Sequence, residues 1–536
     1  MRNAIASKST QVVPRHRTTF LDLNDDVLAM IVSDFTTKDC LQLSLVARRV
    51  HLLAKRQALS SVTMGSVQAV KRVCRYMLED VVGRLQWIRR LSVSALIPDQ
   101  GSGRSSDFLR RVWPRKEPIA MGLLVSLLKQ ANGLQYLHVG YVDNNLEFDH
   151  ALLDAMCALP NLVELELLGG GGSETLKLLD GIGSRPRSLM LEVQSNNADR
   201  DAIISQIGRL QELRTLCLDG IYTPQDSDST NTVPFIRNLR YTWPNITDLT
   251  LTHCEIHLPA VLRAFPNLRA LTFAEWGNLR FAVPDRPEYS VQPRGPASLE
   301  YVEGSGHLFE NWPTGRPVYH ILIQSMLAIP SRWAMDGPTR CGDPEIPILL
   351  QMVRHAEPVI LTFRIMAFES LRETFWKSLA AGATRLRCLE IELFLFSETQ
   401  GLMSVFLQWM TKVPSSLSPI TSLLYLEVAL DCSTWRCFSC GETPEPILDQ
   451  SQECAERFAS LVVAQIPSIR YVSLGFGHMA SHIHPVHTQP FTGKLWMWKV
   501  ENTGGRRSLY LVSPNAAQRL KALLKSPLPL YPSARE

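Results

Sequence analysis

The segment "LLGGGGSETLKLL" places four glycines, 169–172, between a run that alternates like a strand and a run that reads as a helix. Backbone N–H groups at such a turn can cradle a phosphate. The Lys-Ser/Thr of a P-loop does not follow, and Glu174 stands where the last glycine of G-x-G-x-x-G falls if the motif begins at Gly169. An ordinary strand-to-helix loop is the competing explanation. A second cluster, "CSTWRCFSCGETPEP", holds Cys432, Cys437 and Cys440, with Cys454 and the histidines of "HMASHIHPVH" downstream. Cys437-x-x-Cys440 is half of a zinc site, because two thiolates on one turn can share a tetrahedral ion. Neither Cys432 with Cys454 nor His482 with His484 completes it at finger spacing, and a surface insertion with free thiols is the preferred reading of the pair. No metal and no cofactor is assigned. G-x-S-x-G, H-E-x-x-H and the kinase motif set are all missing from the sequence, so the chain reads as non-catalytic.

Whatever these residues do, 536 residues at 45% hydrophobic content suffice for a large core or several smaller ones. A formal charge of +4 is small for that length and does not point to nucleic acid. No apolar run reaches the roughly 18 residues a bilayer crossing needs. Eleven scattered cysteines suit reduced thiols in the cytoplasm or nucleus better than a secreted disulfide framework. Cys157, Cys217, Cys254 and Cys388 sit in apolar runs, where a thiol acts as a small hydrophobe. Residues 1–19 hold Arg2, Lys8, Arg15 and Arg17 and no acid. That tract reads as a disordered basic tail, with a transit peptide as the alternative.

One unit returns along most of the chain: "NGLQYLHVG", "PNLVELELLG", "QELRTLCLDG", "PNITDLTLTHC", "PNLRALTFAEW", "TRLRCLEIEL", "TSLLYLEVAL" and "PSIRYVSLGF". Its L-x-x-L-x-L spacing predicts a short strand with one face inward, and helix-like sequence such as "ALLDAMCALP" or "LPAVLRAFP" precedes each. The chain therefore resembles a degenerate leucine-rich repeat protein over about residues 84–500. That resemblance implies an α/β solenoid with a parallel concave sheet and helices outside, each unit covered by its neighbours. Weaker matches near 299, 321 and 363 carry the sheet through the middle, and a loop-rich insertion is expected near 276–345. In 501–536, with "LWMWKV" just before, "ENTGG" and "RSLYLV" predict a hairpin end, and Ser513-Pro514 a capping helix.

Residues 20–62 are different. Asp25 and Asp26 are placed to cap a first helix with Val27, Leu28, Ile31 and Val32 on its apolar face. Thr36 or Thr37 starts a second helix with Leu41, Leu45 and Val46, and a third begins near Arg48 with Val50, Leu53 and Ala54. Forty residues bury too little to stand alone, so such a piece needs a partner. The order Leu23, Asp26, Val27, Leu28, Ile31, Phe35, Asp39, Leu41, Leu43, Ser44, Leu45, Val46, Arg48, Arg49 resembles the F-box. Asn24 replaces the family's usual Pro and Val50 its usual Trp. A three-helix F-box, a helical linker at 63–83 and then repeats imply a substrate receptor of an SCF-type ubiquitin ligase, of the kind common in fungi. The resemblance implies that Leu23, Val27, Leu28, Ile31, Leu41, Leu45 and Val46 divide between the F-box interior and the groove of a Skp adaptor, with a cullin beyond it. A repeat scaffold with no ligase role, its first helices a cap, is the alternative.

Strand positions flanking the second apolar residue of each unit face away from the core. Those positions hold Glu164, Glu166, Glu192, Asp219, Asp248, Glu303, Glu390, Glu392 and Glu427, against Arg90 and Arg364. Like charges on adjacent strands repel. The pattern predicts an acidic face that takes a Lys- or Arg-rich segment of a target protein, with solvated strand charge as the alternative.

Overall fold

The computed structural model describes residues 20–79, 83–94, 118–193, 200–220, 241–254, 258–274, 299–309, 312–313, 315–327, 345–365, 373–394, 402–431, 445–478 and 492–526. The basic segment 1–19, the Cys437/Cys440 pair and the histidines 482 and 484 lie outside them. The chain divides into two compact units, residues 1–199 and 200–536.

The first unit opens with three helices, α1 (Asp25–Ser33), α2 (Thr37–Val46) and α3 (Arg48–Ser60). Asn24, not Asp25 or Asp26, caps α1, its side-chain oxygen accepting from the Val27 amide at 2.8 Å. The two acids lie in the first turn instead, where they complement the helix dipole. Thr36 caps α2 through the Asp39 amide. Arg49 ties the entry of α1 to α3, donating to the Leu21 and Leu23 carbonyls and to Asp25 Oδ1. Strands β1 (Ser61–Met64), β2 (Arg90–Val93), β3 (Tyr136–Val139), β4 (Glu164–Gly170) and β5 (Ser188–Val193) follow. All pair in parallel in sequence order. The predicted helical linker at 63–83 holds the end of β1 and the helix Val67–Leu78, so the sheet starts earlier than the repeat spacing indicated. "SVTM" is too short to carry the L-x-x-L lead-in.

The second unit contains β6 (Thr215–Asp219), β7 (Asp248–Thr252), β8 (Ala270–Ala274), β9 (Leu299–Gly304), β10 (Val318–Leu327), β11 (Ile360–Ile365), β12 (Cys388–Phe394), β13 (Tyr425–Asp431) and β14 (Tyr471–His478), all parallel in order. The interval 276–345 is not all loop, since β9 and β10 fall inside it. Two antiparallel strands, β15 (Thr492–Thr503) and β16 (Arg506–Val512), finish the sheet as the expected hairpin. Gly504 and Gly505 make its turn at φ 60° and 84°, which L side chains rarely adopt. The C-terminal helix Pro514–Lys525 follows, with Ser513 before its first turn.

Register does the rest. In each unit the inward residues stack as a ladder: Leu91, Leu137, Leu165 and Leu189 in the first, and Ile321, Leu361, Leu389, Leu426 and Val472 in the second. Every one of these is at most 2% exposed. Helices between strands cover this face, including Glu345–Ala356, Glu373–Gly382 and Leu402–Leu417. Side-chain amides stitch successive turns: Asn161 donates to the Asn132 carbonyl at 2.8 Å, Asn245 to Gln211 at 2.6 Å and Asn267 to Pro244 at 2.8 Å. These are the asparagines of "PNL" and "PNI". They satisfy turn carbonyls that would otherwise lack a donor.

Truncating a ladder residue leaves a cavity that parallel neighbours cannot close. Leu389→Ala should cost about 2–5 kcal/mol in denaturant unfolding, while Leu45→Ala, 85% exposed, should stay within about 0.5 kcal/mol.

Candidate functional site

The N-terminal helices bury one set of apolar residues and expose another. Leu28, Val32, Cys40, Val50, Ala54 and Ala58 are at most 2% exposed and form the interior. Val50 is therefore an interior residue where the F-box pattern has Trp. Of the seven predicted docking residues, Leu28 is interior and Leu23 and Ile31 are half-buried. Val27, Leu41, Leu45 and Val46 lie open at 36%, 47%, 85% and 78%, joined by Met30 and Leu52, which the sequence reading passed over. An exposed apolar group of this size in so small a helical element is unusual for a surface that stays in water.

The outward face of the first unit's sheet carries a compact polar cluster. The Arg90 guanidinium lies 3.7 Å from the Tyr136 ring centroid and 3.1 Å from Glu164. Glu166 accepts from the Tyr136 hydroxyl at 2.6 Å and lies 3.1 Å from His138 Nδ1. The His138 hydrogen bond, which outweighs the cost of burial, holds the Glu166 carboxyl below the usual range. Glu192 is half-buried on β5, on the same face.

In the second unit most of the predicted acids already have cations or donors. Asp219 meets His253 at 2.8 Å, Asp248 accepts from Thr247 at 2.6 Å, and Glu303 accepts from Tyr301 at 2.7 Å and Gln324 at 2.8 Å. Arg364 and Glu392 pair at 2.6 Å. Glu390 and Glu427, 5% and 8% exposed, lie under the C-terminal helix. Lys525 donates to Glu390 at 2.7 Å and Lys521 to Glu427 at 2.6 Å, with Lys521 also 3.6 Å from Glu390. Beside them Ala517 and Leu524 pack on Ile360, Cys388, Tyr425 and Met497, with Tyr319, Tyr471 and Leu520 at the edge. The expected acidic face is therefore not free for a target at Glu390 and Glu427, two of its buried acids, which are neutralised by lysines of the C-terminal helix. Strand spacing could not reveal these cations. The signal was present in "AAQRLKALLK", where Lys521 and Lys525 are four apart beside Leu520 and Leu524.

Burial alone would raise the Glu390 carboxyl, but Lys521 and Lys525 outweigh it and leave its pKa lowered. Burial likewise opposes charge on Lys521, and Glu427 and Glu390 outweigh it, so its pKa is raised. His320, which faces Thr362, Glu390 and Lys525, is pushed down by burial and then by Lys525, from 6.5 to about 4, despite the pull of Glu390.

The glycine loop is already filled. Asp143 accepts from the Gly172 amide at 2.5 Å and from the Thr175 amide and hydroxyl at 3.1 and 2.8 Å, capping the helix Ser173–Gly181. An internal carboxylate thus takes the place a phosphate would occupy. Among the described residues no three His, Cys, Asp or Glu side chains gather as metal ligands, and no helix is long and apolar enough to cross a membrane. Comparison with protein-family models and with curated proteins finds no match for the chain.

Two outcomes follow. Asp143→Ala should destabilise the chain by about 0.5–2 kcal/mol, as loss of a cap does, read by denaturant unfolding. The second concerns acid. Burial and Lys525 hold the docked His320 down to about 4, and removing the helix and its Lys525 lets that pKa rise toward the ordinary imidazole range, so docking of the C-terminal helix weakens as pH falls toward 4. The lowered Glu390 pKa adds to this only below the carboxylate range, and the raised Lys521 pKa removes nothing until strongly basic pH. Hydrogen exchange of amides 514–525, corrected for intrinsic rate, should be flat from about pH 7 to 9 and accelerate as pH falls toward 4. His320→Gln should flatten the upper part of that rise.

Proposed function

We propose that the chain is the substrate-recognition (F-box) subunit of an SCF-type ubiquitin ligase, with α1–α3 docking on a Skp adaptor that links it to a cullin. The sheet-bearing remainder, in this proposal a degenerate leucine-rich repeat solenoid, holds a target protein for ubiquitination by other subunits. The chain itself is non-catalytic and works in the cytoplasm or nucleus. The observation that carries this reading is the split within α1–α3. Leu28, Val32, Val50 and Ala54 make a small interior, while Val27, Leu41, Leu45 and Val46 remain uncovered by the rest of the described chain. Burying four such side chains on a partner contributes several kcal/mol, enough to hold an adaptor.

A second reading, a repeat scaffold with no ligase role, draws on a different observation. Helix α3 ends at Ser60 and β1 begins at Ser61, so the three helices run without a linker into the sheet, as a solenoid cap does. A cap has no reason to expose Leu45 and Val46, and the first reading is preferred for that reason.

The test is adaptor capture by the full chain. Leu41→Asp, Leu45→Asp and Val46→Asp combined touch exposed positions and should leave the fold intact by circular dichroism. Recovery of the Skp adaptor should drop at least tenfold relative to wild type. Equal recovery, or no capture by the wild-type chain, would remove the ligase reading and favour the scaffold.

A further inference from the structure

The C-terminal helix covers the outward face of the second unit's sheet, where Ile360, Cys388, Tyr425 and Met497 are buried with its Ala517 and Leu524, while the inward core is closed without it. On β12, β13 and β14 the inward residues Leu389, Ile391, Leu426, Val428, Val472 and Leu474 are at most 2% exposed, sealed by the helices between strands. The C-terminal helix sits on the opposite, outward face, and of its twelve residues only Ala517 and Leu524 are buried. Leu523 is 58% exposed. A single residue, Ser513, separates the helix from β16. Its hold on the sheet is a stripe at 517, 520, 521, 524 and 525, in which the apolar members pack on Ile360, Cys388, Met497 and the tyrosines and the lysines enter the acids. The Tyr319 hydroxyl adds a bond to the Ser526 carbonyl at 2.5 Å, and the Cys388 thiol lies 3.8 Å from the carbonyl of Leu524.

The fit is imperfect in one respect. Glu390 Oε1 is buried and has no hydrogen-bond partner, with the Lys521 ammonium 3.6 Å away and already bonded to Glu427. Leaving a buried carboxylate oxygen without a donor is costly. The Lys521 ammonium has donors to spare but does not reach Glu390 Oε1 while it bonds Glu427, and an arginine fork, with donors on separate nitrogens, is the side chain that spans both acids.

From these observations we propose that the C-terminal helix is an internal stand-in for the target. The acid pair Glu390/Glu427 and the tyrosine row form a docking groove, and a partner protein enters it with an amphipathic helix bearing Lys or Arg four residues apart on its Ala/Leu face. Binding of that partner displaces the resident helix, so the free chain is self-blocked and target affinity is lowered by the fraction of chains whose helix is docked. The proposal rests on the sheet being the target-binding part of the chain and is independent of whether α1–α3 meet the adaptor.

The test uses the full chain and a fluorescein-labelled peptide of sequence SPNAAQRLKALLK, the resident helix itself. In the wild-type chain the groove is filled and the peptide should bind weakly. In the full-length Lys521→Glu/Lys525→Glu variant, repulsion from Glu390 and Glu427 ejects the resident helix, and fluorescence anisotropy should show peptide binding at least tenfold tighter than to wild type. Adding Glu390→Gln and Glu427→Gln to that variant should abolish the gain, and a peptide with Arg at the position of Lys521 should bind tighter than the parent peptide. Two results overturn the proposal. One is a lysine variant that keeps its circular dichroism and the exchange protection of residues 425–431 yet binds no peptide. The other is a variant that fails to fold, which makes the helix a fixed part of the fold. Adaptor capture by the same variant should equal wild type, so loss of the groove and loss of the ligase reading are separate outcomes.

Discussion

The sheet in both units answers to one constraint: a short parallel strand buries its apolar face by lying in register beside a neighbour of the same inward parity. The ladders Leu91/Leu137/Leu165/Leu189 and Ile321/Leu361/Leu389/Leu426/Val472 are that constraint met, layer on layer. Its consequence appears on the other face. Side chains of the opposite parity stand in rows about 4.8 Å apart along the hydrogen-bonding direction, so any charge placed there meets its neighbours' charges. Glu390 and Glu427 occupy adjacent rows in direct register. Such an arrangement is stable only with cations close by, and two lysines from the end of the chain supply them.

How much of this was legible follows from the range of each interaction. The strands were legible because L-x-x-L-x-L states the inward parity outright, and the hairpin because Gly504-Gly505 is the turn signal for left-handed backbone. Strand β1 was not legible, since four residues of alternation carry little signal without the repeat's lead-in. The asparagines that stitch the turns were visible in the quoted motifs, but their role needs the neighbouring turn in place. The Lys521–Glu427 contact joins residues 94 apart, and no local pattern predicts which helix returns to which strand.

The small sites show the same division between composition and placement. The glycine run at 169–172 has the composition of an anion cradle, and Asp143, from the helix Val142–Phe148 ahead of β4, accepts from the Gly172 and Thr175 amides. In α1–α3 spacing alone could not divide Leu28, which is interior, from Leu45 and Val46, which are exposed, and it passed over Met30 and Leu52. That division comes from how the three helices pack, with Arg49 and Gln57 of α3 tied to Leu23, Asp25 and Ser33 at the two ends of α1.

Two surfaces of the chain differ in cover: the apolar one on α1–α3 lies open and is proposed to dock an adaptor, and the charged one on the second unit's sheet is closed by the chain's own helix. The most direct measurement of the first, central claim is hydrogen exchange of the full chain with and without purified Skp adaptor, read peptide by peptide. The account predicts slowed exchange across residues 25–52, where Val27, Leu41, Leu45, Val46 and Leu52 lie, with residues 388–431 unchanged. Unchanged exchange across 25–52 at saturating adaptor, or protection confined to the sheet, would contradict it.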